Sequence, residues 1–213
     1  MRTGLALLGI LAIASLTFIG CEEFTVTTPD SQEQLVAKGW YQWDLTNYDD
    51  AIVLFEDAID LANSYAPAYS GLGWAYLRQQ SLNTASDNFE TAKLLDGNLI
   101  FAFAGSSSTL FLSGDYTLSV ADGAYAINHW DDYVFPKAQR DDGSLYDVAT
   151  NITKFDVYMI LALDYYCLMD MPSTIAQINN MRVFIGESGD FASSSWAEIA
   201  AELNRLDGLD PSQ

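Results

Sequence analysis

Few residues of this chain are of the types that usually carry out chemistry. Cys21, Cys167 and His129 are its only thiol and imidazole groups. A lone histidine cannot build a metal site with other histidines, and the sequence has no CxxC pair or Cys/His cluster. Cys167 stands in the apolar run YMILALDYYCLMD, which predicts a buried, inert thiol, and we expect His129 at the surface. We therefore expect no metal ion and no cofactor.

Acidic side chains are the remaining candidates for proton transfer, and aspartates occur as adjacent pairs at 49–50, 131–132 and 141–142. Acid–base catalysis needs groups that converge in a dry cleft, whereas neighbouring aspartates on turns point apart into solvent. The segment DDGSLYD offers oxygen ligands for calcium but lacks the spacing of a calcium loop. We expect solvated surface, and hence not an enzyme. A hydrolase whose site the sequence does not reveal is a minor alternative.

Cys21 stands in a different setting, at the end of an uncharged segment. Arg2 is followed by residues 4–20 without a charge, and Gly20 comes directly before Cys21. This layout is typical of a secretory signal, and the apolar run is at the short edge of the roughly 20 residues that a spanning helix needs. The stretch FIGC resembles the bacterial lipoprotein signal, although Phe18 stands where that family usually has leucine.

The resemblance implies that the thiol of Cys21 receives a diacylglyceryl group and that a peptidase removes residues 1–20. Two or more acyl chains hold a protein firmly on a membrane. Residues 21–33 are then a flexible tether, and we expect the chain in the bacterial cell envelope, attached to the outer membrane on its periplasmic or surface face. An uncleaved membrane anchor and a buried core segment are the alternatives for residues 1–20.

The charge balance limits the classes of partner. The full chain has 9 Lys and Arg against 29 Asp and Glu, a net charge of −20, and loss of Arg2 with the first 20 residues makes it −21. So negative a chain repels nucleic-acid phosphates and cannot dock on anionic lipid through a basic patch. The acidic excess either serves solubility or attracts divalent cations or a basic partner. The sequence leaves both open.

An internal repeat of 34 residues organises the middle of the chain. Three segments align at this spacing: GWYQWDLTNYDDAIVLFEDAI from Gly39, GWAYLRQQSLNTASDNFETAK from Gly73 and SSTLFLSGDYTLSVADGAYAI from Ser107. Their small first residues let two helices approach closely, and alanines seven apart with an aromatic between them form one apolar helix stripe. The aligned sets are Tyr48, Leu82 and Tyr116; Ala51, Ala85 and Ser119; Phe55, Phe89 and Gly123; and Ala58, Ala92 and Ala126.

This pattern resembles the tetratricopeptide repeat, which has a small residue in its first helix, a turn, and then Ala, an aromatic and Ala in its second helix. The resemblance covers residues 32 to about 128, with repeats over 34–127. It departs from the family at Gly123, where a Phe is expected. It implies an all-α fold, a TPR-like right-handed superhelix of antiparallel helix pairs with about three repeats plus C-terminal helices.

The repeat pattern stops at about residue 128. Residues 128–146 are rich in Asp and contain a proline and a glycine, so they predict a long loop packed in places by Trp130, Tyr133 and Phe135. We interpret residues 147–208 as C-terminal helices that form a degenerate repeat and a polar cap. The predicted helices span 147–169, 174 to about 184, and from a cap at Ser194 or Ser195 through Leu206.

The resemblance also suggests where a partner binds. Tetratricopeptide proteins bind peptides or proteins in their concave groove, mainly with first-helix side chains, and tryptophan and arginine dominate binding hot spots. The alternative is that Trp40 and Trp74 pack against the tether, the neighbouring repeat or the C-terminal helices. Carried over by position, the groove candidates are Trp40, Trp43, Asp44, Trp74, Leu77, Arg78, Ser108 and Phe111.

The sequence thus predicts a lipid-anchored scaffold of the cell envelope that binds partner proteins or peptides through an aromatic groove. The alternative is a lipoprotein that captures glycans or nutrients, suggested by the many aromatics on a repeat scaffold. Members of that class are much longer than this chain. The identity of the partner and the oligomeric state stay open.

Overall fold

The fold is taken from a computed structural model, which describes residues 30–133, 136–147 and 152–209. The predicted signal segment, Cys21, most of the predicted tether and Phe135 lie outside the described residues. Within the described ranges, each helix is too short or too polar to cross a membrane.

Three consecutive antiparallel helix pairs make up the first part of the fold. The second helix of each pair begins at Tyr48, Leu82 and Tyr116, which are 34 residues apart, as the repeat predicts. The predicted all-α fold of stacked helix pairs is therefore confirmed. The helices are α1 Gln32–Asp44, α2 Tyr48–Leu61, α3 Ala66–Arg78, α4 Leu82–Leu95, α5 Ile100–Ser113 and α6 Tyr116–His129.

The same tight turn joins the two helices of every pair. Thr46, Gln80 and Gly114 stand at equivalent places and adopt left-handed φ angles of 63°, 60° and 86°. Met169, with φ 60°, has this role between α7 (Lys154–Cys167) and α8 (Met171–Phe184). In each turn this residue donates its backbone N–H to the carbonyl three residues earlier. The fourth pair is thus built on the same turn as the three repeats, although its sequence does not match them.

Two of the C-terminal helices begin at residues other than those that the sequence predicts. α7 begins later than predicted, because the capping box of Thr153 and Asp156 fixes its first turn. α8 begins earlier than predicted, because Asp170 caps it by accepting a hydrogen bond of 3.2 Å from the backbone N–H of Ser173. α9 (Trp196–Asp207) follows Ser195, one of the two predicted caps.

Part of the predicted loop at 128–146 is instead a β-hairpin. Strands β1 (Lys137–Gln139) and β2 (Leu145–Asp147) pair antiparallel, with Ala138 opposite Tyr146. β1 packs against α1, and the side chain of Ala138 is fully buried. Strands of three residues are too short to show a period of two in sequence, which is why composition alone indicates a loop here.

Phenylalanine rings packed against glycines hold the repeats together. The ring of Phe55 lies between Gly39 of its own repeat and Gly71 of the next, and a Cβ atom at Gly71 would approach the ring to 2.4 Å. Phe89 repeats the arrangement, and a Cβ atom at Gly105 would come within 2.2 Å of its ring. Both rings are fully buried. Only glycine allows such close packing of consecutive first helices against the second helix.

The third repeat lacks this ring because α7 occupies the space. A Cβ atom at Gly123 would lie 2.8 Å from Ser107 Oγ and 2.9 Å from Leu161 Cδ2. Leu161, on α7, is itself buried. The departure of the third repeat from the family pattern therefore follows from the seating of α7 on α6.

A buried acid lies at the same junction. Ser119 Oγ is 2.6 Å from Asp164 Oδ2 on α7 and 2.9 Å from the carbonyl oxygen of Ser107 on α5. One hydroxyl hydrogen cannot be donated to both, whereas a protonated Asp164 can donate to Ser119 and leave Ser119 to donate to Ser107. Burial raises the pKa of Asp164 to about 6, and the hydrogen bond from Ser119 partly opposes this rise.

Asp164→Asn tests this protonation. Since the folded pKa of about 6 lies above the ordinary value of 3.8, the folded state binds more protons than the unfolded state between these pH values. We expect the unfolding free energy of the wild type, minus that of the variant, to increase by up to about 3 kcal/mol as pH falls from about 7 to 4. Urea denaturation at the two pH values measures the difference. An unchanged difference would contradict a neutral buried Asp164.

Candidate functional site

A cavity of about 900 Å³ lies where the C-terminal halves of α1, α3 and α5 meet α7. We call it the groove cavity. Six of the eight predicted groove residues line it: Trp43, Asp44, Trp74, Leu77, Arg78 and Ser108. The repeat places the first-helix residues, and α7 and the segment before it add Ile152, Asp156, Val157 and Ile160.

Trp43 is the centre of the aromatic part of the groove cavity. Its ring centroid lies 6.4 Å from that of Trp74 and 6.3 Å from that of Tyr48. The guanidinium carbon of Arg78 lies 5.4 Å from the Trp43 ring, and Arg78 Nε donates to Tyr48 Oη at 3.2 Å. The cation–π contact and the hydrogen bond hold the exposed Arg78 side chain against the aromatic cluster.

Two side chains that line the groove cavity carry donors that are not fully paired. The indole N–H of Trp43 is buried and has no hydrogen-bond partner among the described residues, whereas that of Trp74 donates to the carbonyl of Phe101 at 3.1 Å. Arg78 makes no ion pair with a carboxylate in the described part of the chain. In so acidic a protein, an arginine that is not ion-paired with a carboxylate is suited to binding a carbonyl or carboxylate oxygen from outside.

The β-hairpin fixes one edge of the groove cavity. Tyr146 on β2 donates its hydroxyl to Asp44 Oδ2, and the guanidinium of Arg140 lies over the Tyr146 ring at 4.2 Å. Burial, together with the hydrogen bond to the Asp44 carboxylate, raises the pKa of Tyr146. Asp44 is thereby held in place by the hairpin.

Trp40 and Phe111 lie outside the groove cavity. Trp40 is only 1% exposed, and its ring packs edge-on against Phe55 at 5.4 Å and Phe101 at 5.3 Å. Phe111 packs instead with Tyr116 at 5.9 Å, close to the turn into α6. Trp40 is therefore a packing residue, in contact with its own repeat and with α5 of the third repeat.

The other residues that could take part in catalysis or metal binding do not lie together at one site. The prediction that Cys167 is buried is wrong, because this residue ends α7 and its thiol is exposed. His129 is exposed at the end of α6, where its ring stacks on Tyr125 with centroids 4.2 Å apart. The three aspartate pairs lie at the surface. In the described ranges, no three His, Cys, Asp or Glu side chains are placed to hold a metal ion.

Comparison with solved structures agrees with the fold. No protein-family model matches the chain, and no curated protein matches its sequence. A thermophilic TPR protein of Thermus thermophilus superposes on 85% of this chain and 84% of its own length, with a TM-score of 0.55 and 15% identity. The chain has a tetratricopeptide-repeat fold. YrrB, a TPR protein with an unusual peptide-binding site, matches 82% of this chain and 85% of its own, with a TM-score of 0.47 and 15% identity.

The TPR fold shows which groove residues the sequence could reveal. First-helix positions such as Trp43 and Arg78 recur with the repeat, and Tyr48 belongs to an aligned set, so their placement follows from the pattern. Asp156, Val157 and Ile160 were missed because α7 carries no repeat signature. The contacts of α7 with α5 and α6 place these residues at the groove cavity.

Proposed function

We propose that this chain is a lipid-anchored scaffold of the bacterial cell envelope, and that it binds partner proteins or peptides in the groove cavity. One observation carries the binding part: an unpartnered indole N–H and an arginine without a carboxylate partner stand beside one another in an aromatic cavity. Aromatic and arginine anchors in a desolvated pocket are typical of the residues that dominate protein interfaces.

The chemistry of the groove cavity favours a segment of polypeptide. A backbone carbonyl accepts from Trp43 Nε1, a carboxylate pairs with Arg78, and an apolar side chain packs on Leu77 and Ile160. These groups lie on α1, α3 and α7, so the stacked repeats present them as one surface.

Glycan capture is less well supported by the same contacts. Sugar rings bind proteins by stacking on an exposed aromatic face, and Arg78 lies over the ring of Trp43 at 5.4 Å. Trp74 is buried and packs edge-on against Phe89 at 5.7 Å. We therefore place peptide binding first and expect no retention of the chain on polysaccharide columns.

Site-specific photo-crosslinking in intact envelopes tests the proposal. A photoreactive p-benzoylphenylalanine replaces Leu112, which lines the groove cavity and is 59% exposed, or Leu118 on α6, which is 58% exposed and lies outside the cavity. We expect a crosslinked protein from position 112 only, because equal exposure makes chance collisions equally frequent at both positions. Mass spectrometry then identifies the captured chain.

A second variant links the crosslink to the proposed chemistry. Arg78→Gln removes the cation but keeps a donor, and a charge-assisted hydrogen bond contributes about 1.5–3 kcal/mol, so the yield at position 112 should fall about tenfold or more. Equal yields at positions 112 and 118, or a yield that Arg78→Gln does not change, would contradict the assignment of the groove cavity as the binding site.

A further inference from the structure

A second cavity lies at the N-terminal halves of α1, α3 and α5, beneath the β-hairpin. Its volume is about 600 Å³, within the range of roughly 300–1,000 Å³ that is common for small-molecule sites. We call it the hairpin cavity. Its walls are largely apolar and include Val36, Ala37, Pro67, Leu99, Phe101 and Pro136.

Three buried polar atoms without partners belong to residues that line the hairpin cavity. They are Trp40 Nε1, Ser70 Oγ and Gln139 Oε1, and each lacks a hydrogen-bond partner among the described residues. The described part of the chain has six such side-chain atoms, so half of them gather around this one cavity. Trp40 and Ser70 are only 1% and 2% exposed.

Three buried polar atoms without hydrogen-bond partners destabilise a fold unless a bound group pairs with them. Each buried polar group left unpaired costs about 1–3 kcal/mol, and folded proteins pair the great majority of them. The Ser70 hydroxyl also makes no hydrogen bond to the backbone carbonyl four residues earlier, which is the simplest way to pair a serine within a helix. Ser108 and Thr109, on α5, both make that bond at 2.9 Å. The arrangement around Ser70 is therefore suited to a bound polar group.

The three atoms define the polar group that fits. Trp40 Nε1 needs an acceptor, Gln139 Oε1 needs a donor, and the Ser70 hydroxyl takes either. An amide supplies both an acceptor and a donor in one uncharged group. The carboxylates of Glu33 and Asp96 stand at the same cavity as the ammonium of Lys137, so an anionic head group is disfavoured. All three atoms are shielded from water, so binding requires that the wall moves to let a ligand reach them.

We infer that the hairpin cavity binds an uncharged small molecule with an apolar body and an amide-type polar group. The site is separate from the groove cavity, with which it shares no lining residue. The inference is thus independent of the proposed peptide binding.

Titration of the ¹⁵N-labelled full-length chain with N-benzylacetamide tests the inference. The indole N–H signals of Trp40 and Trp43 report on the hairpin cavity and the groove cavity, and spectra of Trp40→Phe and Trp43→Phe assign them. We expect saturable movement of the Trp40 signal only. Benzyl acetate, which lacks the N–H donor for Gln139, should bind about tenfold more weakly, as the loss of one hydrogen bond implies.

Two serine variants provide the matched control. Ser70→Ala should weaken the binding of N-benzylacetamide about three- to tenfold, whereas Ser108→Ala, the same change at the groove cavity, should leave it unchanged. The inference is overturned by a Trp40 signal that does not move at millimolar probe. Equal affinity for amide and ester, or tighter binding of benzyltrimethylammonium than of the amide, would also overturn it.

Discussion

Phe89→Ala is expected to destabilise the fold by about 4 kcal/mol, which lies within the range for deleting a buried ring. The ring is fully buried between two consecutive first helices, where Gly73 and Gly105 face it. Glycine has no side chain that could move into the space. The cavity therefore stays open, and the variant loses both the burial free energy of the ring and the free energy of the unfilled cavity. Urea denaturation of the variant and the wild type measures the difference in unfolding free energy.

The same helix supplies the control for this prediction. Leu94 is on α4 like Phe89 but is 86% exposed, so Leu94→Ala should change the unfolding free energy by no more than about 0.5 kcal/mol. A loss below about 1.5 kcal/mol in Phe89→Ala would mean that the repeats close over the missing ring, and the close packing of ring on glycine would then not be the main link between them.

Cys21→Ala is expected to abolish lipidation of the chain. If the thiol of Cys21 carries the lipid, the variant has no acceptor for an acyl chain and its lipid label falls to background. Growth of the cells with an alkyne-bearing palmitate analogue, followed by click labelling and fractionation, measures both the lipid and the location. The same variant should also keep residues 1–20, which intact-mass measurement detects.

Cys167→Ala is the matched control, since Cys167 is the chain's other thiol and is exposed at the end of α7. It should keep both the lipid label and the membrane location. Label that persists in Cys21→Ala, or a wild-type mature chain that still carries its first 20 residues, would contradict the proposed anchor. The crosslinking result at the groove cavity would stand in either case.

The sequence alone predicted the repeat and the 34-residue spacing of its helices. Alanines seven apart with a phenylalanine between them can be buried together only on one face of a helix, so Ala51, Phe55 and Ala58 indicate both the helix and its inner face. The same positions in the second repeat are also fully buried. A local period suffices here, because each repeat packs mainly on its neighbours in sequence.

Glycine positions show where the sequence was informative only in part. Gly39 and Gly73 were recognised as close-approach sites because they recur at the repeat spacing. Gly71 and Gly105 serve the same rings from the following helix, and their role appeared only once consecutive repeats were stacked. Contacts between repeats depend on how one helix pair rotates against the next, which no single repeat encodes.

The tertiary structure alone decided the shape of the candidate sites. Trp40 and Trp43 lie on one face of α1, yet one borders the hairpin cavity and the other lines the groove cavity. The β-hairpin and α7 make that division, and neither carries the repeat pattern. Their positions result from long-range contacts such as the hydrogen bond from Tyr146 to Asp44, across 102 residues of chain. Local periodicity reports which face of a helix is buried, but only the folded chain determines what covers that face.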